Sequence, residues 1–116
     1  MRKTVTKTFV VGQSQTDAIQ LNELFTLVGV AISGSKISGS LISFLGSEDG
    51  TNFYPVFDNS SVEVTLTTTT VSRIYAVDPN AFLGLNYLKA RLGTSGSANL
   101  QAIANQDILF LCATIK

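Results

Sequence analysis

LISFLGSEDGTNFYPVF, residues 41–57, decides the fold. Two apolar runs, Leu41–Leu45 and Phe53–Phe57, flank Gly46-Ser47-Glu48-Asp49-Gly50-Thr51-Asn52. Residues of that central type turn a chain: glycine accepts positive φ, and Asp, Asn and Ser side chains bond back to nearby backbone groups. β-Branched and aromatic residues on both sides make the stretch a β-hairpin, with Asp49-Gly50 as its turn and Gly50 at positive φ. Ile42 and Phe44 then share one face of the first strand, and Leu41, Ser43 and Leu45 the other. Pro55 has no N–H to give to a ladder, so its strand belongs at a sheet edge or a bulge.

Strand signals continue on both sides of the hairpin. Upstream, Lys3–Val11, Ala18–Leu21 and Leu24–Ile32 read as strands. Gly29 inside the third marks a bulge or a close backbone approach. A helix over Asp17–Leu27, capped by Asp17, competes with that reading, but Thr26, Val28 and Val30 favour strand. Ser33-Gly34-Ser35-Lys36 and Ser38-Gly39-Ser40 frame a loop before the hairpin.

Downstream, Asp58-Asn59-Ser60-Ser61 is a turn. Val62, Val64 and Leu66 alternate with Glu63, Thr65 and Thr67, the pattern of a half-buried antiparallel strand. Ser72–Val77 and Tyr87–Leu92 are further strands, the latter with Leu88, Ala90 and Leu92 against Tyr87, Lys89 and Arg91. Between them, Asp78 is placed to cap one helical turn, with Pro79 at its first position and Gly84 ending it. Gly93–Ser97 is a small-residue loop, and Ala98–Asn105 has no clear periodicity. Seven or eight short strands with evenly spaced turns predict an all-β chain, an antiparallel β-sandwich or jelly roll, as a single domain over residues 1–116.

The last strand, Ile108–Ile115, breaks the alternation. Ile108, Phe110 and Cys112 point one way, and Leu109, Leu111, Ala113 and Ile115 the other. A strand apolar on both faces is covered on both. Either a second subunit or neighbouring protein covers the second set, or the subunit covers it with its own packed sheets or with Ala98–Asn105. Leu109, Leu111, Ala113 and Ile115, joined by Tyr87, are therefore the candidate interface residues.

Composition narrows the function classes. Of 116 residues only 14% are charged, with eight Lys+Arg against eight Asp+Glu; an average domain carries about 25%. A neutral chain offers no electrostatic footprint for phosphate backbones, so no nucleic-acid partner is expected. Mean hydropathy is positive, yet no apolar run approaches the roughly 18 residues of a membrane span, so no membrane partner is expected. The start, Met1-Arg2-Lys3-Thr4-Val5, lacks the apolar core and cleavage site of a secretory signal. The absence of histidine removes Ser-His-Asp triads, Cys-His dyads and the usual zinc sites. The single cysteine, Cys112, cannot form an intramolecular disulfide, and its apolar neighbours describe a buried, inert thiol.

The remaining polar residues do not assemble a chemistry. Glu48, Asp49 and Asp58 lack calcium-loop spacing and read as turn formers; a glycosidase pair would need them to converge in a cleft. Arg73, Lys89 and Arg91 are better explained as solvated strand residues or cross-strand partners of Glu63 than as a ligand patch. Asn59-Ser60-Ser61 matches a glycosylation acceptor without a secretion signal to support it. Tyr54, Tyr75 and Tyr87, with no tryptophan in the chain, suit core and interface better than a sugar-stacking face. No catalytic, cofactor or metal site is expected.

Three segments in this order carry a resemblance. They are Ile42-Ser43-Phe44 followed by Ser47–Asp58; Ser72-Arg73 with Val77-Asp78-Pro79 and Phe82-Leu83-Gly84; and Tyr87–Thr94. From about Thr4 onward the chain resembles small β-sandwich virion proteins of tailed bacteriophages, above all capsid decoration (cement) proteins. Ser33–Ser40 stands where many of those proteins have a tryptophan-containing segment. The resemblance implies a non-enzymatic structural protein of the virion, a homotrimer on the capsid surface with the major capsid protein as partner. The Ser-x-Asp-Gly-x-x-aromatic pattern of residues 47–53 also occurs in carbohydrate-binding sandwiches. The alternative is therefore a carbohydrate- or receptor-binding module of a phage tail or fibre.

Overall fold

The hairpin forms, and its first strand is the middle of one of two sheets. A computed structural model describes residues 2–22, 24–33, 37–68, 72–102 and 104–114. Among these, the strands in chain order are β1 (Arg2–Phe9), β2 (Ile19–Gln20), β3 (Phe25–Ile32), β4 (Leu41–Ser47), β5 (Tyr54–Pro55), β6 (Thr65–Thr67), β7 (Arg73–Ala76), β8 (Tyr87–Thr94), β9 (Ser97–Ala98) and β10 (Gln106–Thr114). The architecture is the expected antiparallel sandwich, but with ten strands. The expected strands Ala18–Leu21 and Phe53–Phe57 form as β2 and β5 but shorten to two residues each, and β9, also two residues long, has no counterpart in the sequence pattern.

One sheet has the order β1-β10-β3-β7. The other runs β2-β8-β4-β5, with β6 also pairing β4 and β9 pairing β8. Pro55 sits on the edge strand of that path, where its missing N–H breaks no ladder. Between the layers lie Phe9, Phe44, Phe82 and Phe110, all fully buried. Leu27, Val30 and Ile32 of β3, Ile108, Phe110 and Cys112 of β10, and Leu88, Ala90 and Leu92 of β8 complete the core. Burial pushes the Cys112 thiol up, partly opposed by the charge of Lys3, which keeps it protonated and unreactive.

Local chemistry accounts for the connections. Asp78 accepts a bond from the Asn80 amide and caps a 3₁₀ turn over Pro79–Phe82. That turn drives Phe82 into the core, edge-on to Phe44 at 5.2 Å between ring centroids. Thr26 donates to the Pro79 carbonyl at 2.6 Å, tying the turn to β3. Gly29 fulfils both readings of a strand glycine. Leu111 pairs with Gly29 while Cys112 pairs with Leu27, so Val28 is the extra residue of a bulge. A Cβ on Gly29 would also lie 3.2 Å from the Tyr75 carbonyl oxygen.

The competing helix over Asp17–Leu27 does not form, as the β-branched residues favour: Asn22 takes a φ of +55°, and from Phe25 onward the chain pairs with β10. One reading changes. The alternation from Val62 shortens to Thr65–Thr67. The Asp58 carboxylate accepts from the Ser60 and Val62 amides, and Ser61 adopts a φ of +63°. Residues up to Val62 are thus held in a turn, and Val62 is 58% exposed rather than inward. Leu66 does reach the core.

The turn of the quoted hairpin is built on one carboxylate. Asp49 Oδ1 accepts from the amides of Thr51 and Asn52, both at 2.8 Å, and from the Ser47 hydroxyl at 3.0 Å. Asn52 Nδ2 donates to Oδ2 at 2.9 Å. These bonds, led by the Asn52 amide, hold the Asp49 carboxyl well below the usual carboxylate range. Gly50 has a φ of +79°, and a Cβ there would meet the Tyr87 ring at 3.1 Å. Gly50→Val therefore lowers stability by roughly 1–3 kcal/mol, read from denaturant unfolding. Because the folded carboxyl is the stronger acid, its contribution is present above the unfolded value of about 3.9 and fades as pH falls below it. The melting-temperature gap between wild type and Asp49→Ala accordingly narrows from pH 7 to pH 2; a constant gap would remove the carboxylate from the turn.

Candidate functional site

Sheet register decides which side chains of β10 face outward. Leu109, Leu111 and Ala113 pair across β1 with Thr6, Thr4 and Arg2, and Leu109 and Leu111 pair across β3 with Ala31 and Gly29. Ala31 and Gly29 in turn face Ile74 and Ala76 of β7. The outer face of the four-stranded sheet is thus a stripe of Leu, Ala, Gly and Ile bordered by threonines. Leu109, Leu111 and Ala113 are half-buried by their neighbours in the sheet, and Ile74 is 71% exposed. Two shallow hollows, of about 400 and 420 Å3, open beside Leu109 and Leu111. Charge borders it: Arg2 and Lys3 stand at the hollow beside Leu111, Arg73 at the one beside Leu109, and Asp107, bonded to Thr8, at the start of β10.

Of the candidate interface residues, Leu109, Leu111 and Ala113 share this face. Ile115 lies outside the described residues. Tyr87 does not join them: it is on β8 of the other sheet, paired with Ser47 and lying beneath Gly50. Sequence reasoning missed Ile74, Ala31 and Gly29, whose place on the stripe depends on the β3–β7 register.

The outer face of the six-stranded sheet is closed differently. Arg91 donates from Nε to Ser43 Oγ at 3.0 Å and pairs through a guanidinium NH2 with Glu63 at 2.6 Å. Glu63 also accepts from the Ser95 amide and hydroxyl. This is the Glu63 partnership expected for the basic residues. Lys89 lies over the Phe53 ring at 4.5 Å and reaches Gln15. Arg73 is on the opposite sheet and forms no patch with them. The chain between β5 and β6 is thereby fastened over Ser43 and Leu45, both buried.

A cleft of about 460 Å3 opens where the β4–β5 hairpin stands beside the 3₁₀ turn, lined by Asp49, Asn52, Tyr54, Phe57, Ala81 and Leu85 among others. Tyr54 is 68% exposed there, whereas Tyr75 packs against the core, so the three tyrosines do not form one face. Glu48 and Asp49 both line the cleft, while among the described residues no group of three His, Cys, Asp or Glu could hold a metal ion. Nor is any helix long and apolar enough to cross a membrane.

No family model and no curated protein matches this chain. Among solved structures, it has the fold of the SPBc2 prophage-derived protein YomS, with a TM-score of 0.54 at 13% identity over 99% of this chain and 96% of that one. A protein of Bacillus endospore appendages, which form disulfide-linked pili, aligns at a TM-score of 0.47 and 13% identity over 100% of this chain and 88% of its own. The C-terminal domain of a Bacteroides fragilis chitobiase aligns at 0.42 and 17% identity over 88% and 64%. The likeness to YomS is one of fold, end to end in both chains.

The two outer faces respond oppositely to mutation. Glu63→Ala leaves Arg91 without its counter-charge under the loop and lowers stability by about 3–5 kcal/mol. Phe110→Ala, one residue inward from the stripe, costs a similar amount through its cavity. Leu111→Ser leaves the subunit folded with a much smaller loss. Chemical denaturation of the three variants checks the order, and unfolding by Leu111→Ser would assign the stripe to the subunit's own core.

Proposed function

We infer that this protein is a non-enzymatic structural component of a phage virion: a capsid decoration protein that assembles as a homotrimer and binds the major capsid protein on the outside of the shell. The observation that carries this reading is the outer face of the four-stranded sheet. It carries an apolar stripe that crosses β10, β3 and β7, with the threonines of β1 along one border. Covering large side chains such as Ile74, Leu109 and Leu111 is favourable by roughly 1.5–3 kcal/mol for each that goes from exposed to buried. Ile74 starts mostly exposed and the leucines half-covered, so the sum is several kcal/mol per subunit. A closed symmetric ring is the usual way for one chain to cover such a patch with copies of itself.

The phage side of the reading is supported by the order of motifs from Ile42 to Thr94 and by the fold shared with a prophage-derived protein. The structural, rather than catalytic, side is supported by where the polar groups go. Arg91 and Glu63 bond each other across a loop, and Asp49 spends its carboxylate on the amides of its own turn. Incubation with glycan, peptide and ester panels is expected to give no turnover; hydrolysis lost on mutating Asp49 or Asp58 would overturn this part.

Light scattering tests assembly directly. Wild type is expected at three times the 12.4 kDa chain mass, and the double variant Leu109→Ser with Leu111→Asp as a folded monomer. A wild type that is monomeric at micromolar concentration would overturn trimerisation off the shell. Cryo-EM of virions carrying the chain then tests its location, with density on the outer capsid surface expected. Density on the tail or fibre instead would replace the decoration role with the receptor-binding one.

A further inference from the structure

The cleft beside the 3₁₀ turn has properties that a shell-binding face does not require. Its volume of about 460 Å3 lies within the roughly 300–1,000 Å3 of small-ligand sites. Two aromatic rings stand at it largely unburied, Tyr54 at 68% and Phe57 at 49% exposure. Both belong to the edge of the six-stranded sheet. Exposed rings beside a concave surface offer flat apolar faces to a ligand with a flat apolar face of its own.

Directional polar groups sit beside the rings. Asn52 Nδ2 donates to Asp49 Oδ2 at 2.9 Å, which fixes the plane of the amide. Its second amide hydrogen and its carbonyl oxygen have no protein partner among the described residues. A fixed amide presenting one donor and one acceptor matches a pair of adjacent hydroxyls, each of which accepts and donates. The charge of the cleft selects further. Glu48 and Asp49 line it, and among the described residues no Lys or Arg does, so an anionic ligand meets like charge.

The geometry points to a binding site for a neutral hexopyranose unit of a glycan, with Tyr54 and Phe57 stacking on the C–H face of the sugar and Asn52 holding two adjacent hydroxyls. A pyranose combines an apolar C–H face with a rim of hydroxyls, which is the complement of these groups. Nothing in this site depends on the decoration role, and the stripe around Leu109 and Leu111 takes no part in it.

The test is an amide NMR titration of the full chain with the methyl glycosides of glucose, galactose, mannose and N-acetylglucosamine. Each is taken to about 50 mM, since a one-sugar contact binds in the millimolar range. At least one glycoside is expected to shift the amides of Asn52, Tyr54 and Phe57 and to leave those of Leu109 and Leu111 in place. Tyr54→Ala is expected to weaken that binding about fivefold or more by removing a ring face, and Tyr54→Phe to keep most of it. Glucuronate is expected to bind more weakly than glucose. Tyr54 is exposed, so the spectrum of the variant itself reports that the fold is retained. Absence of shifts at the cleft with all four glycosides would overturn the site. So would shifts that survive Tyr54→Ala unchanged, and tighter binding of glucuronate would overturn its selectivity for neutral sugars.

Discussion

The contact between Arg91 and Glu63 determines which side of this sandwich is finished and which is left open. An arginine on the outer face of a sheet could have stayed in water. Here it is taken out of it, bonded at once to Ser43 of the neighbouring strand and to a glutamate from the loop beyond β5. Removing two charges from solvent is favourable only when their remaining donors and acceptors are satisfied. Ser43 and Ser95 supply those bonds. The six-stranded sheet therefore has its own cover, fastened at one point, and among the described residues the four-stranded sheet has none.

Much of the architecture was legible because the strands carry their burial in their spelling. Tyr87–Leu92 alternates as its two faces require, and the Asp78-Pro79 cap and the Asp49-Gly50 turn are local arrangements whose side chains bond within a few residues of themselves. Where legibility failed, the deciding partner was distant in sequence or the geometry was set by a turn. Val62 reads as inward until the Asp58 carboxylate captures its amide. β9, two residues long, has no pattern to read. Tyr87 was grouped with the β10 residues as an apolar contact, but membership of a face depends on sheet order, which periodicity does not report.

The same limit applies to the outward stripe. Leu109, Leu111 and Ala113 were visible as a set because a strand that is apolar on both faces is unusual. Ile74 was not, because β7 is short and its register against Ala31 is a long-range fact. The aromatic cleft was less visible still. In the sequence Tyr54, Tyr75 and Tyr87 are alike, and Phe57 is one more apolar residue of the run Phe53–Phe57. Only folding separates them, sending Tyr75 to the core and Tyr87 beneath the turn while leaving Tyr54 and Phe57 together.

The position of β10 has a consequence for synthesis. It lies between β1 and β3, and Arg2 at the start of the chain pairs with Ala113 near its end. Until residues 106–114 have left the ribosome, the first strand has no neighbour and the third lacks its main one. Half of the hydrophobic interior then has no opposite wall. Loop-closure entropy must be met across nearly the whole chain before these contacts form. The nascent chain should thus stay open until residues 106–114 emerge and then close in one step, its apolar strands in the meantime exposed to chaperones or to pairing with another copy.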